Sequence, residues 1–194
     1  MKFRIAVEGI DGSALLMHNA RLSDPLDEYA RRMKKVSGKR TKTEDDHREM
    51  ADIEFLGGIY HDDKLGPFVP GQNFERCLLD AAKKIKLGTT VKSALIIETN
   101  INPIDYDGPR ELATLVKDEN FRHRSSCKVG MQRVMRTRPH FRQWKAYADG
   151  ELDITQLDLD QLKQIVDIAG RIIGLGDWRP RFGRFTGTVE KIGD

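Results

Sequence analysis

Apolar and polar positions alternate along residues 2–9, where Phe3, Ile5 and Val7 fall on one face at the period of two that a half-buried strand requires. Gly9 and Gly12 end that strand. Asp24-Pro25 reads as a helix start, with aspartate as cap and proline in the first turn, ahead of Leu26, Tyr29, Ala30 and Met33 at helical spacing. Residues 37–50 are nearly all polar, either a loop or the solvated start of a further helix. Residues 53–60 read as a strand interrupted by Gly57-Gly58, and residues 66–71 as a turn-rich lead. The lead opens a helix over residues 72–87 that buries Phe74, Leu78, Ala81, Ala82 and Ile85. Lys83, Lys84 and Lys86 suit its C-terminal dipole, and Gly88 stops it.

The apolar run 93–98 predicts a central strand, residues 102–109 a loop, and residues 110–117 either a short helix or a strand. Alternation on both sides of Val129-Gly130 predicts a hairpin over residues 121–139. Residues 141–147 continue as strand, and Asp149-Gly150 has the composition of a tight turn into residues 151–154. Asp158 and Gln161 form a capping box for the last helix. Its apolar stripe is Leu159, Leu162, Ile165, Val166, Ala169, Ile172 and Ile173, and a strand over residues 185–192 closes the chain. Strand, helix, strand, strand, helix, strand is the split order of ferredoxin-like, RRM-like α+β folds. The prediction is one domain with a core of about residues 1–12, 71–99 and 140–194, and insertions of about 13–70 and 100–139.

Length and composition narrow this further. The 194 residues suit one domain, and 39% hydrophobic content is enough for a packed core. There is no apolar run of about 18 residues to span a membrane. The alternating N-terminus lacks the apolar stretch of a signal peptide, so a cytoplasmic location is expected. Cys77 and Cys127 are far apart and read as reduced thiols. Neither zinc-finger, zincin nor P-loop spacing occurs, and no cofactor or metal is expected.

Charge changes the picture most. The net charge of +3 hides a stretch without any Asp or Glu, residues 121–148, that carries Arg122, Arg124, Lys128, Arg133, Arg136, Arg138, Arg142 and Lys145. Acidic residues follow at once in Glu151, Asp153, Asp158 and Asp160. Such segregation points to a basic surface facing a polyanion.

The second concentration of chemistry is the connection after the last helix. It holds Gly174, Gly176, Trp178, Arg179, Arg181, Gly183 and Arg184. Glycines let bare backbone approach a ligand, arginines neutralise phosphates, and aromatics stack on bases at about 1–3 kcal/mol each. Trp178 is expected at the surface, Phe182 and Phe185 as anchors. The combination suits single strands rather than a duplex groove.

Gly174-Leu175-Gly176, five residues, then Phe182-Gly183-Arg184-Phe185 resembles the glycine-rich loop of the RAMP superfamily of CRISPR-associated proteins, nearest to the backbone subunits that coat guide RNA. That family's loop runs glycine-hydrophobic-glycine twice between the last helix and last strand; Arg181 stands where this chain would have the third glycine. Phe68-Val69-Pro70-Gly71-Gln72-Asn73-Phe74 resembles the family's lead into its first helix, and the basic hairpin lies where those subunits carry a thumb. The segment 181–185 also resembles the aromatic strand motif of RRM domains, though in the wrong strand. At 194 residues the chain is smaller than most backbone subunits and fits a stand-alone or phage-encoded relative.

The resemblance implies sequence-independent binding of single-stranded RNA or DNA, RNA preferred, by an oligomer lined up along the strand or a subunit of a larger complex. Two alternatives stand beside it. A metal-independent RNA endonuclease would draw on His18, His47, His61, His123 or His140. A protein-interaction module, such as a viral inhibitor mimicking a CRISPR subunit, would bind no bare strand. Asp62-Asp63 beside His61 reads equally as a metal group or a charged turn.

Overall fold

The first strand predicted from alternation is the centre of the molecule. In the computed structural model, which describes residues 1–193, the order begins β1 (Lys2–Gly9), β2 (Leu15–Leu16), α1 (Glu28–Ser37), α2 (Glu44–Gly58), β3 (His61–Asp62) and β4 (Gly66–Pro70). It continues α3 (Gly71–Lys84), α4 (Gly88–Ala94), β5 (Leu95–Ile97), β6 (Ile101–Asp105), α5 (Leu112–Leu115) and β7 (Arg122–Val129). The last elements are β8 (Gln132–Phe141), β9 (Lys145–Leu152), α6 (Leu159–Ile168) and β10 (Phe185–Lys191), with a π-helical turn, Ala169–Ile173, extending α6. No described helix is long and apolar enough to cross a membrane.

The protein is α+β with antiparallel sheets. The larger sheet runs β10-β1-β9-β6-β4-β3, with β5 also on β9; the smaller runs β2-β8-β7. Ile5 lies between Val189 of β10 and Ala148 of β9. Phe3, Ile5 and Val7 join Phe74, Leu78 and Ala81 of α3 and Leu162, Ile165 and Val166 of α6 in one buried cluster. Each large side chain buried there contributes about 1.5–3 kcal/mol. On β1 and β9 the alternate residues Arg4 and Tyr147 point away from the helices, and Arg4 pairs with Asp149 at 2.6 Å.

The two long connections pair with each other. β2 joins β8 through Leu15 opposite Phe141, and β4 joins β6 through Phe68 opposite Pro103. The chain bends after Phe141 to pass from the small sheet to the large one. Trp144, 2% exposed, fills the bend, packs on the bare Cα of Gly9 and donates its indole N–H to the Ser13 carbonyl at 3.3 Å.

Several local readings are corrected. The first helix is capped by Asp27, not Asp24, whose carboxylate accepts from the Leu26 N–H in a turn of its own. Residues 53–60 are not a strand: α2 runs through them from a capping box made by Thr43 and Asp46. Residues 66–70 are strand β4 rather than a turn, and the expected loop at 102–109 begins with strand β6, sealed by Asn102 bonding to the Val69 carbonyl. Asp149-Gly150 is no turn but mid-strand. A Cβ at Gly150 would overlap the Ile96 carbonyl and lie 2.7 Å from the Phe3 ring, so close packing rather than chain reversal demands glycine.

The α2 cap gives a pH prediction. The Asp46 carboxylate accepts from Lys39 Nζ at 2.5 Å and from the Thr43 N–H at 2.9 Å, which holds its pKa down to about 2. A depressed carboxylate stabilises fully above its unfolded value near 3.9 and loses that contribution as pH falls toward 2. Unfolding free energy is expected to drop across this window, and Asp46→Asn to flatten the drop. Urea titrations at several acidic pH values read both.

Candidate nucleic-acid interface

The basic hairpin forms where alternation placed it. β7 and β8 pair from Arg122 opposite Pro139 to Val129 opposite Gln132. Paired residues share a face, so His123 with Arg138 and Ser125 with Arg136 lie on one side, and Arg124 with Thr137 and Lys128 with Arg133 on the other. Arg124 nearer the root and Lys128 and Arg133 nearer the tip are exposed, Arg133 donating to the Ser126 hydroxyl at 3.2 Å. Met131 at the tip is 98% exposed.

The glycine-rich connection reaches this hairpin through β2. Leu175, fully buried, donates its N–H to the Gly183 carbonyl at 2.8 Å. The Gly183 N–H goes to Ala14 at 2.9 Å, and the Asp177 N–H to Leu16 at 2.8 Å. Because β2 is itself hydrogen-bonded to β8, the loop lies against the base of the hairpin. There Trp178 and Phe182 meet two histidines: His123 is 6.1 Å from the Trp178 ring, 5.1 Å from Phe182 and 5.6 Å from His140. Arg138 Nε donates to Asp177 at 2.5 Å, tying loop to strand. Burial lowers the pKa of both imidazoles; Arg138 adds to the effect on His123, and His123 and then Arg142 to that on His140, which the Asn120 backbone partly offsets. Each of the lowering effects favours the neutral ring.

No protein-family model matches the chain, and no curated protein does.

What the site can do is set by which of its cations are unoccupied. Among the sequence-predicted residues, Arg122 is a correction: its side chain is 9% exposed, pairs with Asp52 at 2.6 Å, donates to the Val116 carbonyl and stands 5.8 Å over the Phe55 ring. It buttresses the hairpin root and is closed to a phosphate. Arg136, Arg138 and Lys145 are likewise held by Glu54, Asp177 and Glu8. Arg179 bonds the Gly174 carbonyl at 3.4 Å and lies 3.9 Å from Asp80. The stretch 121–148 has no acid of its own, but α2, β1 and the C-terminal loop bring four carboxylates to it. Arg124, Lys128, Arg133, Arg142, Arg181 and Arg184 remain exposed.

The loop glycines are corrected too. Gly174, Gly176 and Gly183 do not present backbone to a ligand. Each has positive φ, and a Cβ on each would collide with a backbone carbonyl, of Phe182, Leu16 and Leu175 respectively. They let the loop pack onto itself and onto β2. Trp178, 45% exposed, and buried Phe185 lie as expected, with Phe182 half-buried between them.

Sequence reasoning missed Lys83 and Lys84, which line an open groove with Trp178 and Arg179; it had assigned them to the dipole of α3 alone. It also left His123 and His140 unpaired. A turn at Gly130-Met131 places His123 opposite Arg138, so the register carried that signal. The remaining histidines lie apart: His18 and His47 are exposed, and His61 bonds the Arg110 carbonyl at 2.8 Å. Asp62 accepts from the Lys64 and Leu65 N–H groups as a turn residue. Among the described residues no group of three His, Cys, Asp or Glu side chains could hold a metal ion.

Proposed function

We propose that this protein binds single-stranded nucleic acid in the cytoplasm, RNA in preference to DNA, without reading its sequence. It acts as a coat that self-associates along the strand or as a backbone subunit of a larger complex. The observation that carries the reading is the contact between two stretches far apart in sequence. The glycine-rich loop sets exposed Trp178 against His123 at the root of a hairpin whose opposite face carries Arg124, Lys128 and Arg133. A stacking platform beside a cationic ribbon suits a flexible strand.

Kinship with the RAMP superfamily, and a ferredoxin-like core, belong to the same proposal. Their support is the ladder order β10-β1-β9-β5, the helices α3 and α6 packed into one core with it, and a glycine-rich loop between last helix and last strand. The preference for RNA follows from that resemblance.

Fluorescence anisotropy with labelled single-stranded RNA and DNA at two salt concentrations tests the reading. Wild type is expected to bind with strong salt sensitivity. Arg124→Ala/Lys128→Ala/Arg133→Ala should weaken binding and flatten the slope of log K against log salt by about 2, for three phosphates released. Trp178→Ala should cost about 1–3 kcal/mol. No binding to either strand overturns the proposal and leaves a protein-interaction module.

One observation favours a second reading, metal-independent RNA cleavage: His123 and His140 lie 5.6 Å apart beside Arg138. Against it, His123 Nε2 is buried. Intact RNA on a gel after the titration excludes it.

A further inference from the structure

Three buried side-chain polar atoms have no hydrogen-bond partner among the described residues: His123 Nε2, Ser125 Oγ and Arg138 Nη1. All three belong to one face of the hairpin, at two successive side-chain pairs of the β7–β8 ladder. An orphaned buried polar group is costly, and three in one place mark a site built for something other than the closed protein. Of these residues Arg138 already has a carboxylate partner, Asp177, which takes only its Nε. A guanidinium is a planar fork that matches two oxygens of a phosphate, so one carboxylate oxygen on one nitrogen leaves it half used.

We propose that His123, Ser125 and Arg138 form a seat for one phosphodiester group of the bound strand, closed in the free protein by the Asp177 carboxylate standing in for a phosphate oxygen. The inference rests on the single-strand reading above and adds to it an internal competitor. Arg138 offers Nε and Nη2, one edge of its guanidinium, to two phosphate oxygens and Nη1 to an adjoining oxygen of the strand, Ser125 its hydroxyl, and His123 an N–H once protonated. Opening requires Asp177 and Trp178 to move while the Leu175–Gly183 hydrogen bond keeps the loop attached. Trp178 is at the surface and touches His123.

The groups facing His123 are Arg138 and His140 from β8 and Trp178 and Phe182 from the loop, with Asp177 acting on Arg138 and Arg142 on His140. In the closed state the positive charge of Arg138 opposes protonation of His123. A phosphate in the seat reverses that balance. Strand binding therefore takes up a proton, and affinity rises as pH falls through the histidine range.

The test is anisotropy titration of a labelled oligouridylate at pH 8 and pH 6 with wild type, Asp177→Asn, Ser125→Ala and His123→Gln. Asp160→Asn, on the exposed start of α6 and paired only with Lys163, carries the same charge change away from the seat. Asp177→Asn is expected to bind about tenfold tighter than wild type and Ser125→Ala about tenfold or more weaker, the size of a hydrogen bond to a charged group. Asp160→Asn should match wild type. The gain on going from pH 8 to pH 6 should be present in wild type and lost in His123→Gln. If wild type binds but Asp177→Asn binds no tighter than Asp160→Asn, the seat is wrong and the single-strand reading stands. If neither wild type nor any variant binds, the single-strand reading fails and the seat with it.

Discussion

A Gly183→Ala variant is expected to lose about 4 kcal/mol of unfolding free energy and to unseat the C-terminal loop. Gly183 has φ 75°, where an L side chain costs about 1–2 kcal/mol. That alone would make it an ordinary turn glycine. The larger effect comes from the Leu175 backbone: an added Cβ would overlap its carbonyl oxygen and lie 2.8 Å from its carbonyl carbon. No rotamer relieves a clash with backbone, so the two segments must separate. Separation strains the Leu175–Gly183 and Gly183–Ala14 hydrogen bonds, each worth about 1 kcal/mol net. It also lifts fully buried Leu175 from the core, at about 1.5–3 kcal/mol if complete. Gly12→Ala is the control, because Gly12 has φ 74° with nothing within 4 Å of the added atom. It should lose only that backbone cost, about 1–2 kcal/mol. Urea denaturation of both variants separates the backbone cost from the contact; equal losses would mean that the Leu175 contact carries nothing. Strand binding should fall with the loop in Gly183→Ala and stay intact in Gly12→Ala.

The same comparison shows what a sequence can and cannot reveal about this fold. β1, α3, α6, β10 and the basic hairpin were legible because their signal is local: apolar positions recur at the period of the element, and all of Phe74, Leu78, Ala81 and Ala82 are buried. α2 was not. It is sandwiched, with Ala51, Ile53, Glu54, Phe55, Gly57 and Gly58 all buried, so no stripe survives, and its helical state is set by a cap at Thr43 ahead of them. Asp149-Gly150 has the composition of a turn, and only the Ile96 carbonyl and the Phe3 ring on the neighbouring strands explain a mid-strand glycine. Site residues divide the same way. The excess of cations along residues 121–148 was readable, but whether each is unoccupied depends on Asp52, Glu54 and Asp177 arriving from elsewhere. Pairing between β2 and β8, which brings the glycine-rich loop to the hairpin, has no local signature at two residues per strand.

Glu54→Ala is expected to cost about 3 kcal/mol, concentrated in the hairpin that carries the exposed cations. A two-stranded ribbon is marginal by itself, and β2 supports β8 only at Phe141 and His140. Further out, Glu54 of α2 holds the edge of β8. Glu54, 8% exposed, accepts from the Thr137 N–H at 2.8 Å and from Arg136 Nη1 at 2.6 Å. Truncation leaves a buried N–H unpaired, at about 1–3 kcal/mol, and opens a cavity between α2 and the ribbon. Arg136 is 40% exposed and can turn to water, which keeps the loss below that of a fully buried pair. Glu54→Gln retains an acceptor for Thr137 and should lose about half as much. Arg136→Ala leaves the Thr137 bond intact yet strands a buried carboxylate, so the double variant should lose less than the sum of the singles. Hydrogen exchange places the effect: amide protection at Cys127, Val134 and Arg136 should fall in Glu54→Ala well before that of Ile5 or Ala148 at the centre of the large sheet. Loss spread evenly over both sheets would mean that Glu54 stabilises the whole domain rather than the hairpin. In that case the hairpin's orientation toward Trp178 depends instead on the Arg138–Asp177 pair that joins it to the loop.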